Sequence, residues 1–555
     1  MPMPSPSRLH VLGCLAMAAS LAACGGGSGP AAGPTPGPAP APAPAPSPAP
    51  SPAPAPSPAP TPAPLAVAPC LPGNGADYQV GPAPGQLAAI DQVPWEKLKA
   101  GDTVRIFWRT QPYAGKFMIS QKGTAAQPIR VCGVRGPGGE RPVVDGNGAK
   151  SRAQLAYSND DAGLGLLHQT RSVVVIKPSG PDDWRWFPEY IQVDGLAIRG
   201  ATPQNTFTDT HGVLRHYESF GACVWVERGH HIALLDNEIS DCTNGIFTKS
   251  TDDAIDEGDA SQFSVTRDIV IAYNHLHGNG VAGDDHEHNS YVQSVDVTYE
   301  FNRYGPLRPG ALGSALKDRS VNAVIRYNRI EEGARSLDLV EAEDFPRTAL
   351  ANPAYRQTWV YGNQIAQNGE AGIAIHYGGD HAGAPPGASW GEGIFRKGTL
   401  FFFHNTVVIA GTRYPYVFQL STTEERAQVW NNVIVFRDHP LEAGLRGGQE
   451  VGAGYQTGGT IALGRNWISP GWKLNDQYHP LAAPVTGVEQ VISGGPLPIE
   501  LATFTPAPAS GAIDSAQAPP AAAAAVKVDW QLLPSGAAAA RGIHGAAPDL
   551  GAVER

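Results

Sequence analysis

The chain has 555 residues, a formal net charge of −11 and 42% apolar residues, with 65 glycines and 52 prolines. The acidic balance excludes nucleic acid as the expected partner. No apolar segment is long enough for a membrane-spanning helix.

Three regions follow in chain order: 1–24, 25–68 and 69–555. In the first, Arg8 and His10 precede an apolar run from Val11 to Ala23, closed by Leu21-Ala22-Ala23-Cys24. This pattern reads as an export signal. Residues 25–68 are almost entirely Pro, Ala, Gly, Ser and Thr. Such a composition buries no core and predicts a disordered, semi-rigid polyproline-type linker. The body, 69–555, opens with a short predicted helical segment near Val93–Lys99, then Ala100-Gly101-Asp102 and alternating strands. Outside the signal it holds four cysteines, Cys70, Cys132, Cys223 and Cys242. Three pairings are open, and Cys70–Cys132 with Cys223–Cys242 is the simplest in an oxidising compartment.

Seven asparagines recur in the same setting, after one apolar run and before the next: Asn237, Asn274, Asn302, Asn328, Asn363, Asn405 and Asn432. Their spacings of 37, 28, 26, 35, 42 and 27 residues are those of a solenoid stretched by insertions. Each strand is too short to bury a core alone, so neighbouring turns must stack. Asparagine suits the turns because it tolerates a left-handed corner and can bond its own stacked copies. The repeats are expected to be regular from Ile191 to about Phe436, with 437–555 less regular and insertions at 378–393 and 440–460.

Aligned on the ladder, Tyr291 and Lys317 each lie 11 residues before the next asparagine, and Gln293 and Arg319 align in the same way. Asp338 and His376 fall near the same column on the following two turns. Period-two alternation turns Leu316 and Leu337 inward and Lys317 and Asp338 outward. Beside this stripe lie His286, His288, Asn289, Glu341 and Glu343. A stripe of stacked ionisable groups is a place to bind an extended, acidic polymer.

The asparagine ladder and its strands resemble the right-handed parallel β-helix of the pectate-lyase-like superfamily, an all-β solenoid with an N-terminal cap. The Ala100-Gly101-Asp102 turn is similar to the cap of its polysaccharide lyases. The segments DDHEHNSYVQS (284–294), GSALKDRSVNAVIRYNRI (313–330) and RSLDLVEAED (335–344) resemble chondroitinase-B-like and alginate-lyase-like enzymes. That resemblance implies a lysine base and an arginine acid, although Lys317 and Arg319 share one strand here and the lyases divide the pair between coils. Leu21-Ala22-Ala23-Cys24 resembles a bacterial lipobox. It implies a lipidated Cys24, and Gly25 implies retention at the outer membrane.

Uronate β-elimination needs a cation to neutralise the carboxylate, a base for the C5 proton and an acid for the leaving oxygen. Lys317 is the expected base if burial and Arg319 lower its pKa, and Arg319 the alternative carboxylate clamp. Tyr291 or His288 would supply the leaving-group proton. His286, Asn289, Asp338, Glu341 and His376 are expected to contact substrate. Hydrolysis by two carboxyl groups from Asp284, Asp285, Asp338, Glu341 and Glu343 is the alternative chemistry, and a glycan-binding adhesin the non-enzymatic one. No metal ligand set is assigned. Calcium is the one candidate cofactor, at Asp252, Asp253, Asp256, Glu257 and Asp259, and a solvated acidic loop is the other reading of that segment. A monomer, anchored to the membrane only through its lipid, is expected.

Overall fold

The computed structural model describes residues 63–157, 166–368, 373–381, 391–410, 415–437, 443–448, 458–476 and 481–555. The export segment with Cys24, nearly all of the linker and much of both insertions lie outside these residues. No helix among the described residues is long and apolar enough to cross a membrane.

The described residues form three long sheets of 13, 13 and 11 strands. Successive coils supply one strand to each, as Val295–Glu300, Arg303–Tyr304 and Leu316–Asp318 do in one coil. The pairing is parallel throughout the first and third sheets; in the second, Thr206–Thr208 and Leu214–His216 pair antiparallel. This is a right-handed parallel β-helix. Inward residues stack in columns, such as Val193, Leu234, Ile271, Tyr299 and Ile325, all essentially inaccessible to water. Burying one aliphatic side chain stabilises its strand by about 1.5–3 kcal/mol, which no isolated turn can obtain.

The asparagine ladder forms the corner between the first and second sheets. The Asn237 Oδ1 accepts the Leu196 N–H, and each later asparagine Oδ1 accepts the backbone N–H of the preceding ladder asparagine, at 2.9–3.0 Å for Asn237, Asn274, Asn302 and Asn328 as donors. Each Nδ2 donates to a carbonyl of an earlier coil, as Asn302 does to Ile271 at 2.7 Å. The left-handed residue of the corner is the one before the asparagine: Asp236, Tyr273, Phe301, Tyr327, Gly362, His404 and Asn431 all have φ between +49° and +67°. The asparagine therefore does not itself adopt the strained conformation. It bonds the backbone groups that the corner leaves open. Asn302→Ala is expected to lower stability by about 3 kcal/mol, because it strands the Asn274 N–H and the Ile271 carbonyl away from water. Thermal unfolding measures this, and a midpoint equal to wild type would rule the ladder out as a stabilising element.

The N-terminal end is closed. The predicted helical segment is a short 3-10 turn, Trp95–Lys97. Buried Trp95 stacks on Phe117 with centroids 4.1 Å apart. Asp102 fixes the turn after it by accepting from the N–H groups of Ala76 and Lys99. The disulfides are Cys70–Cys132 and Cys223–Cys242.

The coils run further than expected. Gly444–Gly447, Thr460–Leu463, Trp467–Ile468 and Lys473–Asn475 continue the three sheets, and Asn466 adds an eighth rung to the ladder. Beyond them, two short antiparallel hairpins, Ile499–Glu500 with Thr505–Pro506 and Trp530–Leu532 with Ala538–Ala540, belong to the C-terminal segment. Ala523, Val526 and Leu532 of that segment cover an outward aromatic stack that includes Phe301, Trp359 and Trp430. Glycine, alanine and proline hid this role, since small residues carry little periodic signal.

Candidate active site

The third sheet carries the outward stripe. Phe247, Tyr291, Lys317, Asp338, His376 and Gln419 are direct register partners on six consecutive rungs. Rungs are about 4.8 Å apart. Trp225 extends the column one rung further beside Phe247. Over this column runs a groove of about 890 Å³, with Trp225 and Phe247 towards one end and Tyr416 and Gln419 towards the other.

At its centre a cationic pair holds an anion supplied by the chain. Lys317 Nζ donates to Asp380 Oδ2 at 2.6 Å and lies 3.3 Å from Asp338 Oδ2. The second nitrogen arm of Arg319 reaches both Asp380 oxygens, at 3.0 and 3.2 Å. Arg319 Nε donates to the Tyr291 hydroxyl at 2.8 Å, and its remaining arm engages the carbonyl and carboxylate of Glu341. Burial opposes a charge on Lys317, yet Asp338 and Asp380 overcome it and push its pKa up to about 12. Burial also opposes the charges of Asp338 and Asp380, but Lys317 first, then Arg335 for Asp338 and Arg319 for Asp380, hold both carboxyls well below the usual range. The Tyr291 phenol is raised by burial against the opposing pull of Arg319 and Lys317.

These contacts revise several expected roles. Lys317 is a fixed cation here, because two carboxylates keep it protonated, and a protonated amine takes no proton. Arg319 is only 2% exposed and its fork is filled by protein groups. His376 is fully buried, bonded through Nδ1 to Asp338 Oδ1 at 2.7 Å and through Nε2 to Ser421. It orients Asp338 and does not reach substrate. Asn289, also fully buried, donates to the Gly305 carbonyl and accepts from Asn279, so it builds the wall behind the groove. Glu341, likewise inaccessible, supports Arg319 and His381. His286 does stand at the rim, exposed and paired with Asp284 at 2.7 Å.

His288 lines the groove. Burial and then the Lys317 charge press its pKa well down, and the Ser314 N–H donates to its Nδ1 at 2.8 Å. The neutral ring therefore carries its proton on Nε2, which has no partner among the described residues.

Among the groove residues that went unnoticed in the sequence, four bear on the chemistry. Asp380 and His381 follow the strand Ile373–Tyr377 in a turn with no periodic signal. Hydrogen bonds that His381 donates to Asp380 and Glu341 raise its imidazole pKa to about 10. Glu341, Asp380 and His381 have the spacing of a metal site, but Arg319 already supplies the cation there. Lys249 lines the groove with an ammonium that has no ion pair among the described residues. The fourth is Glu287, buried in the groove wall with one oxygen lacking a partner.

Burial, then the Asp284 charge, raises the Glu287 carboxyl from 4.5 to about 7. The folded state thus binds this proton more tightly than the unfolded chain. Its stabilising contribution is complete below about pH 4.5 and is lost as pH rises through about 7. Glu287→Gln is expected to raise the melting temperature at about pH 8 and leave it unchanged at about pH 4. Equal shifts at both pH values would show that ionisation of Glu287 is not the cause.

The acidic segment considered for calcium is engaged elsewhere. Asp252 accepts from the Arg347 and Thr348 N–H groups and the Thr348 hydroxyl. Asp253 pairs with Arg228, Asp256 with Arg347, and Glu257 and Asp259 with Arg185. A calcium ion there would have to displace these partners.

No protein-family model matches the chain, and no curated protein matches it. Among solved structures it is similar to an alginate lyase from Paenibacillus sp. str. FPU-7, at 14% identity and a TM-score of 0.39, over 73% of this chain and 99% of that one. It is also similar to a GH136 lacto-N-biosidase from Eubacterium ramulus, at 12% identity and 0.39, over 75% and 68%. A third is the pectate lyase Pel9A, at 9% identity and 0.32, over 87% and 96%.

Proposed function

We propose that this protein is an extracytoplasmic polysaccharide lyase that cleaves a uronate-containing polymer by β-elimination. One observation carries the proposal: a carboxylate, that of Asp380, bridges Lys317 and Arg319 beside the Tyr291 hydroxyl. A substrate carboxylate taking the place of Asp380 would bring its sugar against the phenol. Lys317 and Arg319 then neutralise that carboxylate as charge develops during removal of the C5 proton. As the complex forms the Tyr291 phenol gives up its proton to solvent, and the same two cations favour the phenolate. The phenolate takes the C5 proton, the C4–O bond breaks, and its electron pair leaves on the glycosidic oxygen. The phenol returns the proton to that oxygen, which restores Tyr291. Asp338 keeps Lys317 charged and oriented, and His376 orients Asp338. The export signal and a lipidated Cys24 complete the proposal by holding the domain at the outer membrane.

A second reading has its own observation. Glu287 is raised to about 7 while Asp338 is held ionised, and two carboxyls with pKa values driven apart are the general acid and partner of a glycoside hydrolase. Incubation with a panel of acidic polysaccharides separates the two. Ultraviolet absorbance of an unsaturated uronate product supports elimination. New reducing ends without that absorbance, lost in Glu287→Gln, support hydrolysis. Binding with neither product leaves an adhesin.

A further inference from the structure

On the second sheet, away from the groove, two histidines and a glutamate converge. His275 and His277 are two apart on the strand His275–His277, so both project from one face. Glu238 is the register partner of His275 on the preceding coil. One ligand atom from each residue lies within 4.8 Å of the others, and all three side chains are half-buried. The two imidazoles have centroids 4.2 Å apart. None of the three lines the groove.

The distances fit a metal as well as the ion pair between His277 and Glu238. His277 Nε2 lies 3.3 Å from Glu238 Oε1, longer than an ordinary N–H···O bond. A tetrahedral zinc with bonds of about 2.0–2.1 Å has ligand atoms about 3.3 Å apart. The flanking residues leave room for the ion. Ser240 precedes His277 in its column. On the next coil, a Cβ at Gly305 would come within 3.4 Å of His275 Nε2 and 3.1 Å of His277 Cβ.

Two guanidiniums stand nearby. Arg141 lies 3.9 Å from Glu238 but is bonded to Asp236 at 2.7 Å. Arg303, beside His275 on the next coil, pairs with Glu331 at 3.4 Å. Their charges are shared with those carboxylates, so they weaken binding without filling the site.

We propose that Glu238, His275 and His277 bind one zinc ion, with a fourth position open to water. The ion would join two successive coils of the solenoid, and by binding only the folded state it would raise the melting temperature.

The test is equilibrium dialysis of the full, untagged, metal-stripped chain against zinc chloride. Visible absorption of the cobalt(II) form gives the coordination geometry. One zinc per chain and tetrahedral cobalt bands are expected. His277→Ala and Glu238→Gln should each weaken binding about tenfold or more, whereas His286→Ala, in the groove-rim cluster Asp284, Asp285 and His286, should not change it. If His277→Ala fails to fold, Glu238→Gln decides, since it replaces a half-exposed group with one of equal size. Zinc binding equal in wild type and Glu238→Gln, or lost only in His286→Ala, would overturn the proposal.

Discussion

Tyr291→Phe is expected to lower the turnover of the proposed uronate elimination by about 10²- to 10⁴-fold, the range for loss of a proton-transfer group, with little change in KM. The substitution removes one oxygen and keeps the ring. The edge contacts of that ring with Phe247, at 5.1 Å, and His288, at 5.5 Å, should therefore hold the fold in place. What is lost is the oxygen that accepts from Arg319 Nε. Lys317→Ala differs in kind. It removes half of the carboxylate clamp and leaves Asp338 and Asp380 without their ammonium, so KM should rise and turnover should fall together. Initial rates of product absorbance over a range of substrate concentrations distinguish the two patterns. A Tyr291→Phe enzyme with wild-type turnover would remove the phenol from the chemistry.

Asp318→Ala is expected to destabilise the domain by about 3–5 kcal/mol, the cost of breaking a buried ion pair. Asp318 lies between Lys317 and Arg319 in the chain but faces the interior, and both it and its partner Arg396 are wholly inaccessible. Its carboxylate accepts from Arg396 at 2.9 Å, from the Tyr299 hydroxyl at 2.8 Å and from the Ser320 N–H at 3.0 Å. Arg396 also donates to the carbonyls of Val340, Ser320 and Asp318, tying together the coils that carry Lys317 and Glu341. Alanine would leave a guanidinium charged and unpaired in the core. The double variant Asp318→Leu with Arg396→Met removes both charges and should recover much of the loss. Denaturant unfolding of the single and double variants measures this. A single variant as stable as wild type would mean that the pair contributes nothing.

The sequence by itself determined the solenoid and its register. Hydrogen bonds between adjacent coils repeat the same backbone geometry at every turn, so residues at equal distance from successive ladder asparagines must stack. Tyr291 and Lys317 could be aligned from that spacing alone, and Asp338 and His376 from the turns that follow. Only the tertiary structure decided which members of the stripe meet the groove and in what charge state. Asp380 reaches Lys317 and Arg319 from 63 and 61 residues away, through a turn that obeys no period. Alternation placed His376, Asp338 and Lys317 on one face, but whether an outward side chain is exposed depends on what lies over it. Asp380 covers the cations, and Ser421 encloses His376. Protonation followed the same division. A lysine on an open strand is an ordinary amine. Between the carboxylates of Asp338 and Asp380 it becomes a lasting cation, because their attraction outweighs the loss of water.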